Sequence, residues 1–259
     1  MNVSMNLDFY GYQNLIFGFN VVNNGHSVQF NYIGDERSAP ILTGSALNHE
    51  NYSLAQFHFH WAQDRGYGSE HTVNDKSYSM EMHLVHFNRY RYSTLKDALD
   101  SGKGVVVLGV FFQIERKNND LLNEVTRMVH VVQDRHSNFT ANPEQPLVVD
   151  HLLPNAFNRK KFYRYSGSLT TPPCTEGVTW IVMAHPNNIG YEQIEQFRKV
   201  RNYHKKELIG SNYRNTQSVR DRLVEASFNA QRDSTASTKL SGMLVTLSLV
   251  SLLFANRNH

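Results

Sequence analysis

Cysteine is almost absent from this 259-residue chain, since Cys174 is the only one. One cysteine excludes a disulfide within the chain and a closed, cysteine-rich zinc site. Blocks of like charge are also missing: 26 basic and 23 acidic residues give a formal net charge of +3, which argues against a nucleic-acid partner. No apolar run reaches the roughly 20 residues that cross a bilayer. What is present is a globular composition, 40% hydrophobic, with 13 histidines that direct attention to metal ligands or proton carriers.

The two ends of the chain bear on where the protein works. Residues 1–14 lack the basic and apolar stretches of a signal peptide, although Asn2, Asn51 and Asn138 each begin a glycosylation sequon. Residues 243–255 are uncharged and follow a polar stretch, as in a GPI-attachment signal; a dangling or packed apolar terminus is the alternative. The sequence predicts a domain over 1–228, a polar spacer over 229–242 and an apolar tail over 243–259. We expect an extracellular or cell-surface protein attached, if at all, through this tail, and a chain that lacks its true beginning.

The hydrophobic pattern predicts mainly strands. Apolar alternation or continuous apolar runs occur over 27–33, 56–61, 80–87, 105–114 and 178–184, whereas helical spacing is clear only over 121–132 and 191–200. The run over 105–114 predicts a strand that is buried on both faces near the middle of a large sheet. The fold class expected is α+β: a single domain built on a large, mostly antiparallel central sheet with short peripheral helices.

Two of the predicted strands carry histidines in a pattern that suits a metal ion. Side chains alternate along a strand, so Gln56, His58 and His60 share one face, with the two imidazoles about 7 Å apart. On the second strand Glu81, His83 and Val85 share a face. If these strands are antiparallel neighbours, His83 completes a three-histidine site with one open position. The alternative is that the histidines merely occupy a polar sheet face.

Five motifs, arranged in order between residues 20 and 228, resemble those of the α-class carbonic anhydrases of the secreted or membrane-anchored type. They are Asn23-Asn24-Gly25-His26, His58-Phe59-His60-Trp61, Glu70-His71-Thr72-Val73, Glu81-Met82-His83-Leu84-Val85-His86 and Gly167-Ser168-Leu169-Thr170-Thr171-Pro172-Pro173. The resemblance implies a zinc enzyme that reversibly hydrates carbon dioxide to bicarbonate and a proton. His58, His60 and His83 match the family's zinc ligands, on which a hydroxide would serve as the nucleophile.

The resemblance also implies roles for residues around these ligands. Gln56 and Glu81 would orient the ligand rings, and Thr170 with Glu70 would orient the nucleophile. His26 matches the proton shuttle, with Asn24 and Gln29 holding solvent beside it. The Pro172-Pro173 loop resembles one with a cis peptide bond. The expected wall of the carbon dioxide pocket comprises Thr171, Val85, Val107, Leu169 and Trp180, joined by Val105 and Val178.

Departures from the family pattern keep other functions open. The aromatic cluster and Gln-Ser-Pro stretch that open the family's domain are absent, and Cys174 stands where secreted members have half of a disulfide with that opening segment. One alternative function is a catalytically weak or inactive cell-surface binding protein of the same family. Another is a cupin-like oxygenase using iron, which the ten-residue interval between His60 and Glu70 disfavours.

Overall fold

The computed structural model describes residues 5–134, 140–202 and 207–229. Eleven strands in these ranges form one sheet, and three α-helices lie around it. The strands are β1 (Asp8–Tyr10), β2 (Phe19–Asn23), β3 (Val28–Tyr32), β4 (Ile41–Thr43), β5 (Tyr52–Trp61), β6 (Met80–Phe87), β7 (Val105–Glu115), β8 (Phe162–Ser168), β9 (Glu176–Met183), β10 (Asn187–Gly190) and β11 (Glu225–Ala226). The helices are α1 (Leu95–Asp100), α2 (Asn123–Val132) and α3 (Tyr191–Arg198).

The centre of the sheet consists of its longest strands. The main strand order is β1-β4-β5-β6-β7-β9-β8-β11, with β3 pairing with β5, β2 with β3, and β10 with β7. Among these pairs only β7–β9 and β7–β10 are parallel. The first eight residues of β7 are all buried, as expected for an apolar strand with neighbours on both edges and cover on both faces. The predicted α+β domain with a large, mostly antiparallel sheet is thereby confirmed.

The two faces of the sheet are covered differently. The larger apolar cluster includes the helix α2, whose buried Val125, Met128, Val129 and Val132 follow the spacing of one helical face. Helix α3 packs beside it through Ile194 and Phe197. A second, smaller cluster lies around Val107, Val178 and Trp180. The candidate site described below lies beside this smaller cluster.

Several predictions about the ends of the chain fall outside the described residues. These are the sequons at Asn2 and Asn138, the apolar tail over 243–259, and the spacer over 229–242 apart from Asn229. Residues 1–228 and 229–259 separate into two units. Asn51 is exposed, and the Cys174 thiol is free. None of the three helices in the described ranges has both the length and the apolar character needed to traverse a bilayer.

Candidate metal centre

The register between β5 and β6 brings the three predicted histidines together. The strands are antiparallel neighbours, with His58 opposite His83 and His60 opposite Glu81. Because alternate residues of β5 face the same way, both of its histidines project toward the ring of His83. The ring centroids lie 5.1 Å apart for His58 and His60, 5.3 Å for His58 and His83, and 4.4 Å for His60 and His83. One nitrogen from each ring lies within 4.8 Å of the other two.

Each ring has its other nitrogen occupied by a hydrogen-bond acceptor. His58 Nδ1 lies 2.9 Å from Gln56 Oε1, His60 Nδ1 lies 2.9 Å from the backbone oxygen of Asn212, and His83 Nε2 lies 2.9 Å from Glu81 Oε1. A carbonyl or carboxylate oxygen only accepts, so each of these ring nitrogens carries the proton. The remaining nitrogens, Nε2 of His58 and His60 and Nδ1 of His83, face one another, and in a neutral ring this second nitrogen carries the lone pair.

The spacing of these lone pairs fits a zinc ion. His60 Nε2 and His83 Nδ1 are 3.0 Å apart, whereas two nitrogens bound to tetrahedral zinc at ~2.05 Å would be about 3.3 Å apart. Burial and the neighbouring histidines lower the pKa of His58 well below its usual value, and burial followed by the charge of His83 lowers the pKa of His60 to about 4. Both rings are thus neutral at pH 7, the form in which imidazole binds a metal.

Glu81, on the same face of β6 as His83, connects that ring to the segment that contains Glu70 and His71. Its Oε2 accepts from the backbone N–H groups of Glu70 and His71 at 2.9 and 2.8 Å, and its Oε1 also lies 2.6 Å from His71 Nδ1. Burial raises the pKa of Glu81, but the two histidines beside it lower that pKa well below the usual range overall, so the group is a carboxylate. A second histidine and carboxylate group, His71, Glu81 and His83, is explained by these hydrogen bonds.

Three supporting residues had no predicted role. His71 continues the network through Nε2, 2.6 Å from the hydroxyl of Tyr165. Burial lowers the pKa of His71, but the charge of Glu81 outweighs it and raises the pKa overall. His71 belongs to the motif Glu70-His71-Thr72-Val73, and this was the sequence feature from which its role could have been predicted. Asn212 and Tyr165 lie far along the chain from the ligands, and no local pattern marks them.

Glu70 and Thr170 are near each other without the expected hydrogen bond. Glu70 Oε1 accepts from the backbone N–H of Arg214 at 2.7 Å, while its buried Oε2 has no hydrogen-bond partner. Both side chains line a cavity of about 690 Å³ and do not meet across it. The expected threonine-to-glutamate contact is therefore not formed in this structure. An unpartnered acceptor beside a histidine site suits a hydroxyl or solvent donor.

The residues expected to form an apolar wall lie together in one cluster, but Val85, Val107, Leu169 and Trp180 do not line the cavity shared by Glu70 and Thr170. Val85 and Val107 are opposite each other on β6 and β7, and Trp180 is opposite Val107 on β9. Leu169 is partly buried against this cluster, which also contains Val105 and Val178. The Trp180 ring lies 4.7 Å from the ring of His83, so this cluster lies beside the three candidate histidines. Thr171 is exposed in the following loop, where the Pro172–Pro173 bond is cis, as the resemblance implied.

His26 lies at an exposed turn between β2 and β3. The side chain of Asn24 closes this turn by accepting from the backbone N–H groups of His26 and Ser27 at 3.0 and 2.7 Å. Asn24 also donates to Gln29 at 3.3 Å. Asn24 therefore fixes the turn, a role that the sequence did not predict for it.

Comparison with known proteins agrees with this geometry. The family model of the eukaryotic-type carbonic anhydrases matches residues 1–228. The chain is 37% identical over 216 residues to carbonic anhydrase 7 of Mus musculus, covering 81% of this chain and 77% of the relative. It is 38% identical over 224 residues to putative carbonic anhydrase 3 of Caenorhabditis elegans, covering 84% and 80%. It is also 35% identical over 217 residues to carbonic anhydrase-related protein of Rattus norvegicus, covering 80% and 72%. The three-histidine face, its supporting acceptors and these matches together mean that the chain belongs to the eukaryotic-type carbonic anhydrase family.

Proposed function

We propose that this protein catalyses the zinc-dependent, reversible hydration of carbon dioxide to bicarbonate and a proton. The observation that carries the proposal is the convergence of three imidazoles whose outer nitrogens are each tied to an acceptor. When bound in such a setting, Zn²⁺ lowers the pKa of its water to about 7, as in carbonic anhydrases. The three ligands would be His58, His60 and His83.

The proposed role of Glu70 and Thr170 is to orient the attacking oxygen. The free Oε2 of Glu70 accepts only, so a Thr170 hydroxyl turned toward it would donate its single proton there. The threonine oxygen would then present lone pairs to the nucleophile and hold it in one orientation. This ordering of donors supplies part of the positioning that the reaction needs.

The apolar wall suits the substrate. Carbon dioxide has no proton to donate, so a dry surface of Val85, Val107, Leu169 and Trp180 would hold it beside the ligands. Thr171, at the exposed end of the same loop, would contact the polar product as it leaves. His26 would carry the released proton, because an imidazole can accept a proton at one ring nitrogen and release one from the other, and this residue is open to solvent.

The test is a zinc analysis combined with stopped-flow carbon dioxide hydration. We expect one zinc per chain and rapid hydration for the wild type, and weaker zinc binding with no hydration above background for His83→Ala. His130→Ala is the matched control, because His130 is exposed on α2 away from the three ligands. Stoichiometric zinc with no hydration above the level of His83→Ala would overturn the proposal.

The alternative function is that of a weakly active or inactive binding protein of the same family. One observation favours it, the similarity to a relative named carbonic anhydrase-related protein. The hydration assay separates the two functions, since a binding protein would retain zinc and lack turnover.

For location, we propose an extracellular or cell-surface protein, on the strength of the polar spacer and apolar tail in the sequence. Release from intact cells by a phospholipase that cleaves GPI anchors supports attachment through the tail. Full retention inside the cell contradicts the proposal.

A further inference from the structure

Asn212, which lies in none of the sequence motifs, makes hydrogen bonds to several parts of the candidate site. Its backbone oxygen accepts from the ligand His60, as described above. Its side chain makes three further hydrogen bonds: Oδ1 accepts from the backbone N–H of Trp61 at 2.7 Å, and Nδ2 donates to the carbonyls of Phe59 and His26 at 2.9 and 2.8 Å. One amide thus binds both residues that flank His60 and the residue expected to carry the proton.

The sheet explains why an amide is needed here. Strand β3 pairs with β5 through Gln29↔His58 and goes no further along it. Beyond that point no strand of the described residues pairs with Phe59 or Trp61 on this edge, and the segment 210–212 approaches it through a single antiparallel bridge, Ala62↔Ser211. Ser27 supplies one substitute by donating to the Phe59 carbonyl at 2.6 Å, and Asn212 supplies the rest with both its backbone and its side chain. A buried strand edge without such partners would leave polar groups unsatisfied.

The same amide adds a direct link between the His26 turn and β5, which are otherwise connected through the pairing of β3 with β5 and through Ser27. Because Nδ2 of Asn212 is shared between the carbonyls of Phe59 and His26, the position of the His26 turn is fixed relative to the strand that bears His60. We propose that Asn212 is a positioning residue that couples the proton-carrying His26 turn to the metal ligand His60. This inference rests on the proposed function, and it concerns the side chain of Asn212.

Asn212→Asp is the sharpest variant. It retains an acceptor for the Trp61 N–H, removes both donated hydrogen bonds, and faces a carboxylate toward two carbonyl oxygens. Asn215→Asp is the matched control, because it makes the same chemical change at an exposed position three residues along. Asn212→Ser, which keeps one donor, replaces the aspartate variant if circular dichroism shows that the latter does not fold.

Two measurements test the coupling. In a chelator competition with Zn²⁺ alone, Asn212→Asp is expected to bind about 10-fold or more weakly, whereas Asn215→Asp matches the wild type. At saturating zinc, turnover of Asn212→Asp is expected to fall by about 10-fold, and added imidazole is expected to restore it, as is also expected for His26→Ala. The double variant with His26→Ala should lose no more turnover than His26→Ala alone, because both changes remove one function.

The outcomes separate the two proposals. An inactive wild type contradicts the proposed function on its own. An active wild type with unchanged zinc affinity and turnover in the Asn212 variants contradicts only the present inference. Losses that add to those of His26→Ala and resist imidazole also contradict it, since they indicate a general structural role for Asn212.

Discussion

At the scale of single residues, the metal centre is defined by which ring nitrogen carries a proton. Strand alternation alone predicted that Gln56, His58 and His60 share a face, and a second strand with Glu81 and His83 followed from the same rule. The backbone oxygen of Asn212 lies 152 residues from His60 in the chain, so only the folded structure could reveal that contact. The Tyr165 contact with His71 was hidden for the same reason.

The residue-scale prediction concerns the unpartnered oxygen of Glu70. In Glu70→Gln an amide group replaces one carboxylate oxygen, and we expect hydration to fall by about 10- to 100-fold while zinc content stays at one per chain. The physical reason is that an amide offers a donor where the Thr170 hydroxyl and solvent need an acceptor. Stopped-flow hydration and metal analysis make the measurement.

Glu176→Gln is the control for this prediction, because Glu176 lines the same cavity and is exposed. Equal turnover of Glu70→Gln and wild type would show that Glu70 has no part in orienting the nucleophile.

At the scale of elements, the sequence predicted the interior of the sheet and missed its edges. Strands β5, β6, β7 and β9 appeared as apolar or aromatic runs because they are buried. Strand β8 was missed because its polar and glycine residues leave no apolar run, and three-residue strands such as β1 and β4 are too short to show a period. Helix α1 depends on a capping box between Thr94 and Asp97 more than on an apolar face. The predicted helix at 121 begins instead with a 3₁₀ turn, and α2 starts at Asn123.

The element-scale prediction tests how closely β7 supports β6. Gly109 lies opposite His83, and a Cβ added to it would stand 3.0 Å from Glu81 Oε1. We expect Gly109→Ala to displace this carboxylate, loosen His83 and weaken zinc binding by up to about 10-fold in chelator competition.

Gly66→Ala is the matched control, since nothing lies within 4 Å of a Cβ at that exposed turn. Unchanged zinc affinity in Gly109→Ala would mean that zinc binding does not depend on the observed position of the Glu81 carboxylate.

At the scale of the whole molecule, stability at acid pH is expected to depend on a histidine outside the site. His86 lies on the face of β6 opposite His83, fully buried, with Nε2 at 2.5 Å from the hydroxyl of Tyr12. Burial lowers its pKa to about 4, against about 6.5 in an unfolded chain. Between these pH values the unfolded chain binds the proton and the folded chain does not. The contribution of His86 to the free energy of unfolding is therefore complete above pH ~6.5, and it falls on acidification by up to ~1.4 kcal/mol per pH unit.

His86→Gln tests this assignment, because an amide can bond the Tyr12 hydroxyl without titrating in this range. Urea unfolding of the zinc-loaded proteins, repeated at several pH values from about 7 to 4.5, gives the free energy of unfolding as a function of pH. The slope of this free energy against pH is expected to be smaller in the variant, by the amount that corresponds to about one proton. The same dependence of the unfolding free energy on pH in variant and wild type would contradict the assignment to His86.

In the proposed centre, three imidazoles from two neighbouring strands hold one zinc ion and leave a position open. X-ray absorption at the zinc edge of the loaded wild-type protein measures this most directly. We expect three imidazole nitrogens and one further light atom at about 2.0–2.1 Å, with one imidazole lost in His83→Ala. A zinc shell without three imidazoles, or the same shell in His83→Ala, would contradict it.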